Sequence, residues 1–116
     1  MSRQVKRDIL LRDLRRSLEQ LSWNAERQFA YVDDLGVDVD EIALEFDDLF
    51  RIAESMATQG LISDNFFTHL KSVDSQLSTM TSKGTEVWRR EKVKDSEEWE
   101  TLRKLAIETL RVANSD

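Results

Sequence analysis

The chain has 116 residues and a net charge of -6, with hydrophobic residues making up 40% of it and charged residues 34%. This length suits a single domain around one core, and such an even mixture of apolar and charged residues argues against intrinsic disorder. The absence of cysteine excludes disulfide frameworks, thiolate nucleophiles and cysteine-ligated metal sites. We therefore expect one globular domain over residues 1–116.

The scarcity of turn-forming residues predicts long helices. With no proline and three glycines, the sequence has little of the turn chemistry that β-hairpins require. No apolar run approaches the roughly 20 residues that span a bilayer, and the run at residues 9–11 is much shorter than the apolar part of a signal peptide. These features predict an all-α, cytoplasmic protein.

The first half of the sequence predicts two helices joined by a tight turn. Apolar residues at alternating spacings of three and four predict helix 1 over residues 3–34 and helix 2 over residues 39–59. These stripes consist of Leu11, Leu14, Leu18, Leu21, Ala25, Phe29, Val32 and Leu35 in helix 1, and of Ile42, Phe46, Leu49, Ala53 and Met56 in helix 2. Gly36 predicts a left-handed end for helix 1, and Asp38 with Glu41 predicts a capping box for helix 2.

The second half predicts two further helices. Ser63 or Asp64 is the expected cap of helix 3, over residues 64–83, and Asp95 with Glu98, or Ser96 alone, is the expected cap of helix 4, over residues 96–113. We expect helix 3 to break at Gly84 before a short helical turn, although a helix can continue through glycine at a cost of about 1 kcal/mol. Four apolar stripes with short connections predict an antiparallel, up-down-up-down four-helix bundle.

Charge is distributed unevenly along the chain. Residues 1–16 contain six basic and two acidic residues, whereas residues 17–60 contain two basic and eleven acidic residues. Basic residues at the start of helix 1 oppose the preference of the helix dipole. In a hairpin that turns at Gly36, Arg12 and Arg16 would lie opposite residues 57–61, which carry no acid. A partner, or helices 3 and 4, would then have to neutralise them.

Helix 1 also carries side chains that its apolar stripe does not need. At about 100° per residue, the side opposite the leucines holds Val5, Ile9, Arg12, Arg16, Trp23 and Arg27. Tryptophan and arginine are enriched where partners bury surface, so Arg12, Arg16, Trp23 and Arg27 are predicted to bind a protein partner. Alternatively, helix 1 touches a second neighbour on this side, and arginine stems cover the contact.

The segment after Gly84 is a second candidate for partner binding. Residues 87–94 combine a tryptophan with four basic residues, and within them Trp88, Arg89 and Arg90 are the predicted contact residues. Such a mixture can also hold a nucleic-acid backbone and stack a base. The structural alternative is a loop whose tryptophan closes the end of the bundle.

Helix 2 supplies the acidic candidates. Its acidic face could receive a basic protein, although such faces are usually only solvated. Glu45 and Asp48 resemble the second half of the Glu-x-x-Glu and Glu-x-x-Asp pattern with which all-helical nucleotide pyrophosphohydrolases hold magnesium, but no Glu-x-x-Glu precedes them. With Glu41, they form an alternative magnesium or manganese site. His69, the single histidine, has no acidic residue in register to form a catalytic pair.

These patterns favour a non-enzymatic protein-binding module, such as an adaptor, an antitoxin or an immunity-type inhibitor, with no catalytic residue and no cofactor. The partner is a protein whose identity the sequence does not specify, and a second copy of the chain would also bury Trp23. Two alternatives stay open: a metal-dependent nucleotide hydrolase that uses the helix 2 carboxylates, and nucleic-acid binding through Arg12, Arg16 and residues 88–94. The negative net charge disfavours the last.

Overall fold

Helices account for most of residues 2–115, the part of the chain that this computed structural model describes. Within these residues there are six α-helices: α1 (Arg3–Ser22), α2 (Ala25–Leu35), α3 (Asp40–Thr58), α4 (Asp64–Ser82), α5 (Arg90–Lys94) and α6 (Glu97–Ser115), with a 3-10 turn at Glu86–Trp88. The same range contains no strand, which confirms the all-α prediction. Six helices replace the expected four because helix 1 is divided and the segment after Gly84 is helical.

The main core lies among the four long helices. Helices α1 and α4 each pack against both α3 and α6. The fully buried side chains include Leu14, Leu18, Leu21, Ile42, Phe46, Leu70, Val73, Met80, Trp99 and Leu102. Burying a leucine or phenylalanine side chain stabilises a fold by about 1.5–3 kcal/mol, so these side chains supply most of the drive for folding.

The prediction of one continuous helix over residues 3–34 is wrong, because the chain breaks at Trp23 and Asn24. Trp23 has an extended backbone, with φ −62° and ψ 155°. Asn24 is the N-cap of α2, and its side-chain oxygen accepts a hydrogen bond from the backbone N–H of Arg27 at 2.9 Å. Asparagine is among the best N-cap residues. Helix α2 is therefore a separate helix with its own cap. Leu35, which belongs to the predicted apolar stripe, is 53% exposed.

Gln28 satisfies backbone groups that the break leaves without helical partners. Its side chain is fully buried, and Nε2 donates to the carbonyl oxygens of Gln20 at 3.0 Å and Leu21 at 3.3 Å. The last carbonyls of any helix lack intrahelical donors, and burying them unpaired is costly. Gln28 thus compensates for the end of α1 from within α2.

Arg103 of α6 secures the same junction from the other side. Its Nε donates to the carbonyl oxygen of Trp23 at 2.9 Å, and its Nη2 donates to Gln28 Oε1 and to the carbonyl oxygen of Val93, both at 2.8 Å. Burial lowers the pKa of the guanidinium from its usual value. Because one side chain joins α1, α2, α5 and α6, the break is a fixed part of the fold.

The turn into α3 begins as expected and then departs from the prediction. Gly36 is left-handed, with φ 73°, and ends α2. The predicted capping box of Asp38 and Glu41 is wrong, since Val39 is the N-cap and makes no side-chain cap hydrogen bond. Asp38 contributes its backbone carbonyl instead, which accepts from the N–H of Glu41 at 3.0 Å.

The remaining helix ends follow the sequence closely. Ser63 caps α4, its hydroxyl accepting from the N–H of Phe66 at 3.1 Å. Gly84 has φ 98° and follows the end of α4, which confirms the predicted break and the helical turn after it. The hydroxyl of Ser96 accepts from the N–H of Trp99 at 3.3 Å at the start of α6. The three predicted helices after Gly36 therefore match the observed ones within two residues at each end.

Candidate functional site

Arg12 and Arg16 line a cleft between α1 and α3 that also contains Glu45 and Asp48. The cleft has a volume of 430 Å³, and its other lining residues are Asp13, Ser17 and Leu49. The expectation that the two arginines face residues 57–61 is wrong. The chain changes direction at the break, so α2 does not extend α1. Helix α3 therefore packs along α1 in a register that differs from the one expected for a continuous first helix. The basic residues of α1 therefore meet acidic residues of the same chain.

Charges of both signs remain at the surface of this cleft. Burial and the neighbouring charge of Glu41 raise the pKa of Glu45, while the charge of Arg16 acts in the opposite direction. Arg12 pairs with Asp13 through Nε and Oδ1 at 3.2 Å, yet its side chain is 64% exposed. Exposed pairs of this kind contribute little to stability, so the pair with Asp13 does not prevent Arg12 from making other contacts.

Trp23 and Arg27, which were expected to stand outward on one continuous helix, contact each other at the break. Trp23 is half-buried, and its ring meets that of Tyr31 edge-to-face, with centroids 5.5 Å apart and an angle of 71°. The guanidinium of Arg27 lies 4.2 Å from the centroid of the Trp23 ring. This cation–π contact covers part of the tryptophan. Their role in partner binding stays a prediction.

Trp88 and Arg90 attach the connector to the body of the protein. The ring of Trp88 packs edge-to-face on the buried Trp99, at 5.6 Å and 89°. Arg90 pairs with Asp33 of α2, with Nη1 3.2 Å from Oδ2, and its guanidinium lies 4.6 Å from the centroid of Phe29. The hydrogen bond from Arg90 lowers the pKa of Asp33. These contacts hold the connector against α2 and against the buried Trp99.

Arg89, the third predicted contact residue of the connector, is exposed. It lines a surface pocket of 450 Å³ that reaches from the connector to the start of α3, where Asp38, before the helix, and Asp40, its first residue, also line the pocket. The two signs of charge face each other across this pocket. Arg89 is thus placed near the start of the acidic helix.

Glu41, Glu45 and Asp48 occupy one side of α3 at helical spacing. No group of three or more histidine, aspartate or glutamate residues in the described range, residues 2–115, comes close enough to hold a metal ion. The positive charge near Glu45 is the guanidinium of Arg16, which opposes the rise that burial causes in the pKa of Glu45, and not a metal ion. The alternative metal site therefore has no assembled set of ligands.

A groove between α3 and α4 was not anticipated from the sequence. It has a volume of 550 Å³ and is lined by Asp40, Ala43, Leu44 and Asp47 of α3, by Asp74, Leu77, Ser78, Thr81 and Ser82 of α4, and by Trp88. Leu44 lies outside the predicted stripe and is 52% exposed. Farther along the two helices, Phe50 stacks on Phe67 with centroids 5.7 Å apart, so the helices are in close contact there.

Three aspartates, Asp40, Asp47 and Asp74, make this groove acidic. Burial raises the pKa of Asp74, and the negative charges of Asp47 and Glu54 raise it further, whereas Arg51 opposes them. Arg51 pairs with Asp47 at 3.1 Å, but its side chain is 74% exposed. The groove thus combines an apolar floor with carboxylates that a cation would stabilise. In the sequence, Asp74 gave no signal, because the other aspartates of the groove lie on a different helix.

No protein-family model, curated protein or solved structure matches this chain. Among the helices of residues 2–115, none has both the length and the apolar character that crossing a bilayer requires.

Proposed function

We propose that this chain is a non-enzymatic protein-binding module whose α3–α4 groove receives a basic amphipathic helix of a partner protein. The observation that carries the proposal is an apolar floor, in which Leu44 is 52% exposed and Trp88 is half-buried, beside the carboxylates of Asp47 and Asp74. Amphipathic helices bind in grooves of this kind through apolar anchors spaced by three and four residues. An adaptor or an inhibitor of a basic protein would use such a groove.

The negative charges of the groove indicate that the partner helix is positively charged. Asp74 is destabilised as a carboxylate by burial and by its acidic neighbours. A lysine or arginine brought beside Asp74 relieves this repulsion, and apolar side chains of the same helix cover Leu44. Complementary charge also speeds association and selects against acidic partners. The partner helix therefore carries apolar residues on one face and basic residues on both flanks of it.

In this proposal the four long helices form the scaffold that presents the groove. Contacts between α1 and α3, α3 and α4, α4 and α6, and α6 and α1 support a ring of four, as in an antiparallel up-down-up-down bundle. Helix α2 and the connector with α5 close one end of it. Sites built on helices hold their geometry more precisely than sites built on loops.

Calorimetric titration with a helix-forming peptide of leucine and lysine tests this function. We expect the peptide to bind wild type, and the double variant Asp47→Lys plus Asp74→Lys to bind at least tenfold more weakly. A matched control, Glu19→Lys plus Glu108→Lys, makes the same charge change at two exposed residues outside the groove and should leave the affinity within about twofold. Equal losses in both variants, or binding of a leucine and glutamate peptide as tight as that of the basic one, would contradict the proposal.

The two alternatives have less support. A metal-dependent nucleotide hydrolase needs a set of ligands that Glu41, Glu45 and Asp48 do not form with one another in the described residues. A nucleic acid is disfavoured at the predicted arginines because acids of this chain lie beside them and repel phosphate. Arg90 pairs with Asp33, and Arg16 lies near Glu45.

A further inference from the structure

The outward face of the α1–α3 pair carries two rows of side chains with opposite charge. The row on α1 is Val5, Ile9, Arg12 and Arg16, and the row on α3 is Glu41, Glu45, Asp48 and Ile52. In each row the spacings are three or four residues, so its members stay on one side of their helix. We call this face the α1–α3 face. It lies on the side of α3 away from the α3–α4 groove.

The two helices run antiparallel, and the cleft sets their register. Arg16, in the second half of α1, lies near Glu45 in the first half of α3. Arg7, in the first half of α1, shares a pocket with Leu61 and Ile62, which follow the end of α3. Arg12 is therefore level with Asp48, and continuing by one turn brings residue 9 level with residue 52.

One end of this face is apolar. Val5, Ile9 and Ile52 have 45%, 37% and 48% of their surface exposed. Single exposed apolar residues are ordinary, but three large ones at one end of one face form a patch. The α1–α3 face thus has an apolar end and a central part in which arginines lie beside carboxylates.

We propose that the α1–α3 face binds the same face of a second copy of this chain about a two-fold axis parallel to α1. Rotation about such an axis places α1 of each copy over α3 of the other at the same level. Arginines of one copy then meet carboxylates of the other twice, and the two apolar ends cover each other. A self-complementary face of this kind is what an isologous dimer requires.

The size of the face is adequate for a dimer. Two adjacent helices present a surface about 20 Å wide, and the 20 residues of α1 span about 30 Å, so each copy would bury about 600 Å². The total of about 1,200 Å² is at the lower end of the range for stable complexes. We therefore expect a dimer that dissociates on dilution and leaves the α3–α4 groove open.

Charge reversal followed by mixing tests this inference. Light scattering should give wild type twice the mass of one chain, and both Arg12→Glu plus Arg16→Glu and Glu45→Arg plus Asp48→Arg should give monomers. In a homodimer of either double variant, like charges face each other across the interface. In a heterodimer, which can form in the equimolar mixture, an acidic face meets a basic face. Native mass spectrometry should therefore find the heterodimer in the mixture. A monomeric wild type at about 1 mM, or two variants that remain dimeric, would overturn the proposal.

Two further variants separate dimerisation from folding. The quadruple variant that combines both reversals restores opposite charges within and between chains, and we expect it to fold and to dimerise like wild type. Ile9→Ser plus Ile52→Ser should raise the dissociation constant at least tenfold, whereas Ile107→Ser, on α6 and 40% exposed, should leave it within about twofold. Equal effects of the α1–α3 face and α6 variants would also refute the inference.

Discussion

Nη2 of Arg103 donates to Oε1 of Gln28 at 2.8 Å, and this hydrogen bond connects the last long helix to the break between the first two. Gln28 is fully buried, and both side chains also bond backbone carbonyls beside the break. Removing either side chain leaves buried acceptors without donors. The pair therefore ties the junction of α1 and α2 to α6.

Loss of Arg103 should therefore destabilise the whole fold. We expect Arg103→Ala to lower the free energy of unfolding by about 3 kcal/mol, because hydrogen bonds from a charged group contribute roughly 1.5–3 kcal/mol and buried partners are left unpaired. Urea unfolding followed by circular dichroism measures the change. The neighbouring Lys104→Ala removes an exposed side chain with one long ion pair to Glu100, and should cost less than about 0.5 kcal/mol. Similar costs for the two variants would mean that Arg103 does not hold the junction.

Asn24 should act as a helix cap. Asn24→Ala is expected to cost about 1 kcal/mol in urea unfolding, since the N–H of Arg27 loses its acceptor. Asn24→Asp keeps an acceptor at the N-terminus of α2 and should be within about 0.3 kcal/mol of wild type. If alanine instead stabilised the protein, a continuous helix through residue 24 would be favoured over the break.

Asp74 should make stability depend on pH. Its pKa in the folded protein is raised, so the folded state binds more protons than the unfolded state between the two pKa values, and stability rises as pH falls through this window. Asp74→Asn removes the repulsion, and we expect it to raise the melting temperature by about 2 °C at pH 7. The gain should shrink as pH falls toward the ordinary aspartate pKa. Glu108→Gln, at an exposed residue of α6, is the control and should change little.

Trp99 should be the most sensitive aromatic residue. It is fully buried, and its Nε1 donates to the carbonyl oxygen of Val87 at 2.8 Å. Trp99→Phe leaves a cavity and an unpaired carbonyl, so we expect a loss of about 3 kcal/mol in thermal or urea unfolding. Trp23→Phe, at a half-buried residue, should cost less than half as much. A larger loss of stability for Trp23→Phe than for Trp99→Phe would mean that Trp99 is not a central residue of the core.

The sequence predicted the bounds of the helices after Gly36 well because the apolar stripes extend over each of them, even though the capping box of Asp38 and Glu41 was wrong. Of the alternative caps that the sequence offered, Ser63 caps α4 and Ser96 caps α6. The break at Asn24 was missed because the three-and-four spacing continues from Leu21 to Ala25, so the pattern describes either one helix or two in sequence. Asn24 was the available cue, since asparagine favours N-caps over helix interiors.

The candidate surfaces were harder to predict, because they depend on how helices pair. The register of α3 on α1 decides which residues Arg12 and Arg16 face. A continuous first helix predicted residues 57–61, whereas the observed neighbours are Glu45 and Asp48. The prediction was wrong because it missed the break. The α3–α4 groove needs Asp74 and Leu44 from two helices, and neither belongs to a motif. Buried polar groups such as Arg103 also give no periodic signal.

The most direct test of the partner-binding function is to locate a bound basic amphipathic peptide by NMR. If the peptide binds in the α3–α4 groove, titration should shift the methyl signals of Leu44 and the indole N–H signal of Trp88, while the indole N–H signal of Trp23 stays in place. Because Trp23 lies at the break and Trp88 lines the groove, one spectrum contains both the signal and its control. Shifts confined to Trp23, or to Val5 and Ile9 on the α1–α3 face, would contradict the account.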